Sequence, residues 1–391
     1  MAQHADSGEG AASAEQAGSA AAREAASHRP AHAAGSARPP AALVILSSVK
    51  WNFAWQRHHS LARAAAASGT AVVFVEPQLR DARQVVARLR RGSGAAPPTQ
   101  QVPEGVRILR WSPVDLLPGA TLRRIRRLLD SAAADETMVL QYVPSRRGLA
   151  LARRLGRGRH VYDRVLDWSR VPANWFPPRG WRRVENALER EARLVTDSAA
   201  MQRKWAERGL DSILVLPAAD DEFTRHPWSS PRADAPIGYF GTVQEGIIDL
   251  PAVAAVARAH PVEVVGEVDE ASRAVLRDAG AILAAPVPVA ELPPIIDRWS
   301  AILLPYRVGD RRETLVPAKI WNSLASRRPV LTLGLALPDG IAQHTVPLDD
   351  AASVAEAAIA AIERGGDAAP QRVPTWADAW RRIVEFASPI A

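Results

Sequence analysis

A lysine two residues after a proline is the position in this chain that most suggests chemistry. Pro317 suits the first turn of a helix, because its ring fixes φ and an N–H there would have no partner. Apolar residues then recur at helical spacing through Ala325. The predicted helix places Lys319 in its first turn, where unpaired N–H groups and the helix dipole favour an anion. We interpret Lys319 as a candidate phosphate contact; the alternative is a surface helix with a solvated lysine.

Glycines at the end of a predicted strand form a second candidate. The segment Gly238-Tyr-Phe-Gly-Thr242 ends the strand predicted at 237–240. Glycine in that place lets backbone N–H groups approach a diphosphate closely. Alone the signal is weak, since many strands end in glycine, but the Lys319 segment follows it at a fitting distance along the chain.

Residues 313–332 resemble the sugar-nucleotide segment of group 1 glycosyltransferases, which have the GT-B fold. The positions that match are Pro317, Lys319, Trp321, Leu324, Ala325, Pro329, Val330 and Leu331. Three positions depart from the family pattern: Asn322 replaces a Glu, Ser323 a Tyr and Arg327 a Gly. The family's Glu commonly binds donor hydroxyls, so Asn322 indicates either a changed donor or lost catalysis.

Segments of the first half resemble members of the same family that act on bacterial polysaccharides. Residues 51–59 match a W-x-x-x-x-Q-R segment, which implies an acceptor side formed by Trp51, Gln56, Arg57 and His58. Helix capping and packing are the alternative for these residues. Residues 162–168 resemble a Y-D-x-x-D-[DE]-W stretch, so that Asp163 or Asp167 could accept the acceptor's proton or simply orient loops. Residues 217–223 match an N-G-V-D-x-x-F signature only at Asp220 and Phe223.

The resemblance covers about residues 41–388 and implies a fold, an activity and a site. The fold would be α/β of the GT-B type, with two Rossmann-like domains and a C-terminal crossing helix. The activity would be metal-independent transfer of a sugar from a nucleotide-sugar donor to a glycan or lipid-linked acceptor, with no cofactor. Lys319 and Arg307 would offset charge on the departing diphosphate. The implied donor-binding residues are Gly238, Gly241, Thr242, Tyr306, Pro317 and Asn322.

The order of predicted elements fits this plan. The chain has 391 residues, enough for two domains with separate cores. Strands alternate with helices, which predicts parallel sheets. We predict a disordered tail at 1–39, an acceptor domain at 40–224, a Pro/Ser/Asp-rich linker at 225–236, a nucleotide-sugar domain at 237–370 and a C-terminal helix at 371–391. That helix would pack on the first domain; packing on its own domain is equally compatible with the sequence.

Composition bounds the environment and the partners. The chain has no cysteine, no apolar run of the roughly 18–20 residues that a membrane span needs and no signal-peptide pattern. We therefore expect a cytoplasmic protein, with a peripheral position at the inner face of the membrane as an option. The net charge of +7 is carried mostly by arginine, but no nucleic-acid-binding signature accompanies it. The basic helix predicted at 122–129 either packs on the core with a solvated cationic side or contacts an anionic membrane surface.

Two other functions stay open. A catalytically silent GT-B protein would bind its donor without turnover and act as a binding or scaffolding partner. A nucleotide-sugar epimerase would share the fold and turn over the nucleotide sugar without an acceptor.

Overall fold

A computed structural model describes residues 38–53, 55–77, 100–129, 136–156, 158–169, 180–244, 246–307, 316–348, 354–364 and 372–388. The tail predicted at 1–39 lies outside these ranges apart from its last two residues. Residues 313–315, the start of the segment that resembles the sugar-nucleotide motif, also lie outside them.

The first sheet has the order β3-β2-β1-β4-β5-β6-β7 within the described ranges, and all its strand pairs are parallel. Its strands are β1 (Ala42–Leu46), β2 (Ala71–Val75), β3 (Val106–Leu109), β4 (Thr137–Gln141), β5 (His160–Arg164), β6 (Arg193–Thr196) and β7 (Ser212–Leu214). The helices of this half are α1 (Arg57–Ala67), α2 (Ala120–Leu128), α3 (Arg146–Leu155), α4 (Trp181–Glu191), α5 (Ala199–Glu207) and α6 (Asp221–Arg225). The β1 and β4 strands are buried along their whole length, as the continuous apolar run at 42–46 predicts.

The second sheet is also parallel and has the order β10-β9-β8-β11-β12-β13 in the described part of the chain. Its strands are β8 (Ile237–Phe240), β9 (Val262–Val265), β10 (Ile282–Ala284), β11 (Ala301–Pro305), β12 (Val330–Leu333) and β13 (Val346–Leu348). Its helices are α7 (Leu250–Ala259), α8 (Glu270–Asp278), α9 (Leu292–Ile296), α10 (Ile320–Ala325), α11 (Asp339–Ala342) and α12 (Val354–Glu363). Short 3₁₀ turns occur at Pro113–Leu116 and Val289–Glu291.

A final helix, α13 (Trp376–Ala387), packs on the first-sheet half. Thr375 caps it by accepting a hydrogen bond from the Asp378 amide at 3.2 Å, as the Thr/Asp spacing predicts. The indole N–H of Trp380 donates to the Ser68 hydroxyl just after α1 at 3.1 Å. Arg382 donates to the Leu214 carbonyl of β7 at 3.0 Å. The predicted crossing helix is thus present, whereas the exact domain boundaries stay predictions.

Two local predictions differ from the structure. The helix expected to begin at Pro317 begins at Ile320. Pro317 instead starts the preceding turn, and its carbonyl accepts a hydrogen bond from the Ile320 amide at 3.0 Å. Strand β13 was not predicted, because its three residues include Pro347, which cannot donate to a ladder and suits only a sheet edge.

The basic helix α2 buries Leu122 and Ile125 and leaves Arg123, Arg126 and Arg127 exposed. Its apolar face therefore packs on the core as predicted. Among the described residues, no helix is long and apolar enough to cross a membrane.

Candidate active site

Lys319 lies where the first strand of the second sheet ends. Its Nζ donates to the Phe240 carbonyl at 2.5 Å and lies 4.1 Å from the centroid of the Tyr239 ring. No carboxylate among the described residues lies within ion-pair distance of it. Burial lowers the pKa of Lys319 to about 7. The ammonium is thus held by a carbonyl and a ring face, and a negatively charged group brought to it would favour its charged form.

The two glycines of the strand end have different structural reasons. A Cβ at Gly238 would lie 1.9 Å from ring carbons of Trp299, so glycine there makes room for the buried indole. Gly241 has φ +119°, and a Cβ on it would lie 2.5 Å from Lys319 Nζ. Gly241 therefore creates the space that the lysine end occupies. The role of both glycines in donor binding stays a prediction.

The other predicted donor residues surround the same end of the second sheet. Tyr306 is buried directly after β11, and its amide donates to the Leu333 carbonyl at 3.0 Å. Arg307 follows with an exposed side chain, and its backbone N–H donates to the Ile247 carbonyl at 2.9 Å. The Thr242 carbonyl accepts from the Tyr239 hydroxyl at 2.9 Å. One half-buried lysine and one exposed arginine thus lie at the carboxyl ends of β8 and β11, on one edge of the sheet.

Asn322 is buried and directs its amide at Asp220 instead of an open cleft. Its Oδ1 accepts from the Asp220 amide at 2.7 Å, and its Nδ2 donates to Asp220 Oδ2 at 2.9 Å. Both polar atoms of the Asn322 side chain are therefore engaged. Its predicted contact with donor hydroxyls stays a prediction and would use the second N–H of Nδ2 or the second lone pair of Oδ1.

Asp220 joins elements of both halves of the molecule. Its Oδ1 accepts from Ser60 Oγ at 2.7 Å, Arg63 Nη2 at 2.9 Å and Trp55 Nε1 at 3.1 Å. These three residues belong to α1 or immediately precede it, whereas Asn322 belongs to α10. Burial raises the pKa of Asp220, and Arg63 and the hydrogen bonds from Asn322 and Ser60 oppose that rise. The Asp220 cluster thus joins α1 to α10.

A buried ion pair lies at the carboxyl end of the first sheet. Arg57 Nε donates to Asp163 Oδ2 at 2.7 Å, and Arg57 Nη1 donates to the Val215 carbonyl at 2.7 Å. Asp163 is fully buried and Arg57 is 4% exposed, which makes this pair costly to break. Arg57 Nη2 and Asp163 Oδ1 have no well-aligned hydrogen-bond partner among the described residues. Buried polar atoms left in this state mark a place where a ligand or water can bind.

Tyr142 and Asp197 belong to the same cluster and were not singled out in the sequence. They directly follow β4 and β6, and the rule that parallel strands direct their carboxyl ends to one edge would have found them. Burial raises the pKa of Asp197 to about 7, the charge of Asp163 adds to the rise, and Arg57 opposes it. Burial also raises the pKa of Tyr142, helped by the Asp163 charge.

His58 lies against this cluster. Its ring centroid is 3.6 Å from that of Tyr142, and its Nε2 shares a 3.0 Å hydrogen bond with the Ser48 hydroxyl. Burial lowers the pKa of His58 well below 6.5, and the neighbouring His59 and Arg57 lower it further. The imidazole is therefore neutral at pH 7, so it can donate a hydrogen bond from one ring nitrogen and accept one at the other.

Trp51 and Gln56 have structural contacts. Trp51 is fully buried, and its ring packs edge-to-face on Phe74 with the centroids 5.0 Å apart. Gln56 is the N-cap of α1, and its backbone N–H donates to His59 Nδ1 at 3.1 Å. The His59 Nε2–H then donates to the Trp51 carbonyl at 3.0 Å, which fixes the tautomer. These contacts correspond to the capping and packing alternative, and an acceptor-side role for either residue stays a prediction.

Asp167 stabilises the loop after β5. Its Oδ1 accepts from the Ser169 amide at 3.0 Å and from the Ser169 hydroxyl at 2.6 Å. Arg164 lies 3.4 Å from the same oxygen. Asp167 thus has the contacts of a loop-orienting residue, and a role in proton transfer stays a prediction. No group of three His, Cys, Asp or Glu that could hold a metal occurs in the described ranges.

Comparison with known proteins gives a fold and no sequence family. No family model matches the chain, and no curated protein does either. AviGT4, a glycosyltransferase involved in avilamycin A biosynthesis, superposes with a TM-score of 0.55 at 14% identity over 89% of this chain and 97% of its own. Alr3699/HepE from Anabaena, in complex with UDP and glucose, gives a TM-score of 0.53 at 12% identity over 88% and 94%. A glycosyltransferase from Rickettsia africae ESF-5 gives 0.53 at 10% identity over 88% and 93%. The predicted GT-B fold of two parallel-sheet α/β halves is confirmed.

Proposed function

We propose that the protein transfers a sugar from a nucleotide-sugar donor to a glycan or lipid-linked acceptor in the synthesis of cell-surface polysaccharide or glycoconjugate. The observation that carries the proposal is the Lys319 ammonium, held at the carboxyl edge of the second sheet without a carboxylate partner among the described residues. Ligands of open α/β sheets bind at that edge. The fold shared with glycosyltransferases supports the same assignment.

Lys319 would stabilise the departing nucleoside diphosphate. Its lowered pKa reflects burial without a counter-ion, and a diphosphate would supply the missing negative charge. A cation already positioned beside the developing charge stabilises the transition state without reorganisation. Arg307, exposed at the end of β11, would add a second positive charge.

The first-sheet edge would bind the acceptor. Asp163 is oriented by Arg57 and has one buried oxygen without a well-aligned partner, so it can accept a hydrogen bond from an acceptor hydroxyl. Asp167 is the other proposed proton acceptor, although Ser169 occupies one of its oxygens. The proposal includes no cofactor, and it includes an anionic membrane surface as a partner at a cytoplasmic location.

Donor binding is the direct test. Purified protein would be screened by thermal shift against UDP-, GDP- and dTDP-sugars, beginning with UDP-glucose because the HepE structure holds UDP and glucose. Lys319→Ala should lose the shift and reduce transfer by roughly 10²–10³-fold. Lys204→Ala, which removes an exposed lysine of α5, is the matched control and should behave like the wild type. An unchanged shift and unchanged transfer in Lys319→Ala would remove this residue from the mechanism.

The Asn322–Asp220 pair favours a second candidate, a silent GT-B protein that binds its donor without turnover. Because Asp220 engages both polar atoms of the Asn322 amide, this side chain has less hydrogen-bonding capacity left for donor hydroxyls. Incubation with radiolabelled donor, with and without a mixture of glycan and lipid-linked acceptors, separates the candidates. Acceptor-dependent label transfer supports the transferase, and binding with no conversion supports the silent protein. Conversion of the donor without an acceptor would indicate an epimerase.

A further inference from the structure

Three large apolar side chains are exposed together between β3 and α2. Val114, Leu116 and Leu117 are 51%, 55% and 57% exposed. The other large exposed hydrophobic residues in the described ranges are at least seven positions apart in sequence: Phe53, Val102, Val275 and Ile282. A cluster of this kind within four positions marks an interaction site more often than an isolated exposed residue does.

The segment that carries these side chains is held in place by the buried residue between them. Asp115 is fully buried, accepts from the Ser112 amide at 2.9 Å and from the Thr121 hydroxyl at 2.9 Å, and forms an ion pair with Arg124. Because Asp115 fixes the 3₁₀ turn against α2, the leucines cannot fold inward without breaking these contacts. Their exposure is therefore built into the local structure.

Arginines lie on both sides of the apolar cluster in the sequence. Residues 107–127 contain six arginines, and Asp115 is the one acidic residue among them. Arg123, Arg126 and Arg127 are exposed at spacings that place them on one face of α2. Arg123 Nη1 donates to the Pro118 carbonyl at 3.5 Å, which brings its guanidinium beside the loop of Leu117. These three arginines have no ion pair with a carboxylate of the described residues.

The position of this surface relates it to the candidate acceptor side. The segment follows the carboxyl end of β3, and Asp163 lies at the carboxyl end of β5 in the same parallel sheet. Both therefore lie at one edge of the sheet, with the apolar cluster toward the outer strand.

We propose that residues 113–127 dock on an anionic lipid bilayer, with Val114, Leu116 and Leu117 inserted at the level of the headgroups and acyl chains and the α2 arginines on lipid phosphates. An apolar wedge beside a cationic face fits that partner, since the wedge gains burial and the arginines gain opposite charge. The proposal rests on the proposed function, because it assigns that function's membrane partner to these residues, which would hold the acceptor edge at a membrane that carries a lipid-linked acceptor.

Vesicle sedimentation tests the surface. Purified full-length protein would be sedimented with vesicles of phosphatidylcholine alone and of phosphatidylcholine with 30% phosphatidylglycerol, at two salt concentrations. Leu116→Ser/Leu117→Ser should weaken binding to the anionic vesicles at least about tenfold. Arg126→Gln/Arg127→Gln should weaken it by about fivefold for each arginine and reduce its salt dependence. Val275→Ser/Ile282→Ser, which removes two exposed apolar side chains of the other half, is the matched control and should bind like the wild type.

Donor-induced thermal shifts of the same variants distinguish the two proposals. Retained donor shifts with lost vesicle binding support the docking surface and leave the proposed function intact. Wild-type protein that fails to sediment with anionic vesicles overturns the docking surface, whatever the donor result. Concentration-dependent self-association that Leu116→Ser/Leu117→Ser abolishes, without vesicle binding, would assign the surface to a second copy of this chain and overturn the membrane proposal.

Discussion

Asn322 holds Asp220 at two points, accepting from its backbone amide at 2.7 Å and donating to its carboxylate at 2.9 Å. Both contacts need a side chain with an acceptor and a donor, and Asn is the shorter of the two amide side chains that carry both. The glutamate that stands here in the resembling family would bring a second carboxylate to the buried Asp220. Asn322, which replaces the glutamate of the similar family, therefore suits the carboxylate and the backbone amide of Asp220.

Replacing this asparagine by the family's residue should destabilise the protein. We expect Asn322→Glu to lower the free energy of unfolding by about 2–4 kcal/mol at pH 7.5, because it removes the amide donor and places like charges together. The loss should shrink as pH falls, since a protonated carboxyl can again donate to Asp220. Urea denaturation at pH 7.5 and 5.5, each against wild type, measures both effects. An unchanged midpoint at pH 7.5 would contradict the contact.

Breaking the buried ion pair from one side should have a larger effect. Asp163→Ala leaves the Arg57 guanidinium buried without its carboxylate, and we expect a loss of about 3–5 kcal/mol. Arg153→Ala breaks an exposed pair with Glu191 and serves as the control, with a much smaller expected change because solvent screens this pair. Chemical denaturation of both variants decides the comparison. Equal effects would show that burial of the Arg57–Asp163 pair has no energetic weight.

Asp197 should make the free energy of unfolding fall as pH rises from about 4 to about 7. Its pKa is raised to about 7 in the folded protein, so between pH 4 and pH 7 the folded state holds a proton that the unfolded state has lost. Under that condition the free energy of unfolding decreases with increasing pH. Asp197→Asn should remove this contribution, so the variant should be more stable than wild type at pH 8 and differ less at pH 4. Thermal unfolding across this range measures the difference, and parallel curves would refute the raised pKa.

Arg327 adopts a conformation that suits glycine. It lies directly after the C-cap of α10 with φ 56°, its side chain is exposed, and the resembling family has Gly in its place. A left-handed residue at this position is a common way to end a helix, and a Cβ there costs free energy. We expect Arg327→Gly to raise the free energy of unfolding by about 0.5–1 kcal/mol. Arg327→Ala keeps the Cβ and should leave the urea midpoint nearly unchanged; an equal gain in both variants would point to charge instead of backbone conformation.

The sequence predicted the strands better than the ends of the helices. Buried parallel strands are continuous apolar runs such as 42–46 and 301–304, and their shortness distinguishes them from buried helices. The start of α10 was placed three residues early, because Pro317 fits the first residue of a helix and the residue before a tight turn equally well. Strand β13 carries too few residues and a proline, so its existence depends on the neighbour β12.

Site positions were predictable where chemistry and location coincide, as at Lys319. The partners of those positions were not, since Asn322 and Asp220 are separated by 102 residues and Arg57 and Asp163 by 106. Gly238 shows the same limit: its need for space comes from Trp299, which only the folded sheet brings above it. Tyr142 and Asp197 lacked any motif and were identifiable only by their place after parallel strands.

The contacts of α13 have a consequence for how the polypeptide reaches its native state during synthesis. Trp380 and Arg382 are bound to Ser68 and Leu214, so residues 376–387 complete a unit whose strands leave the ribosome much earlier. The surface of α1 and β7 that contacts α13 therefore stays uncovered until the whole second sheet has been translated. A nascent chain that has left the ribosome only through α12 would therefore carry all the strands of both sheets, while its first half still lacked the final helix.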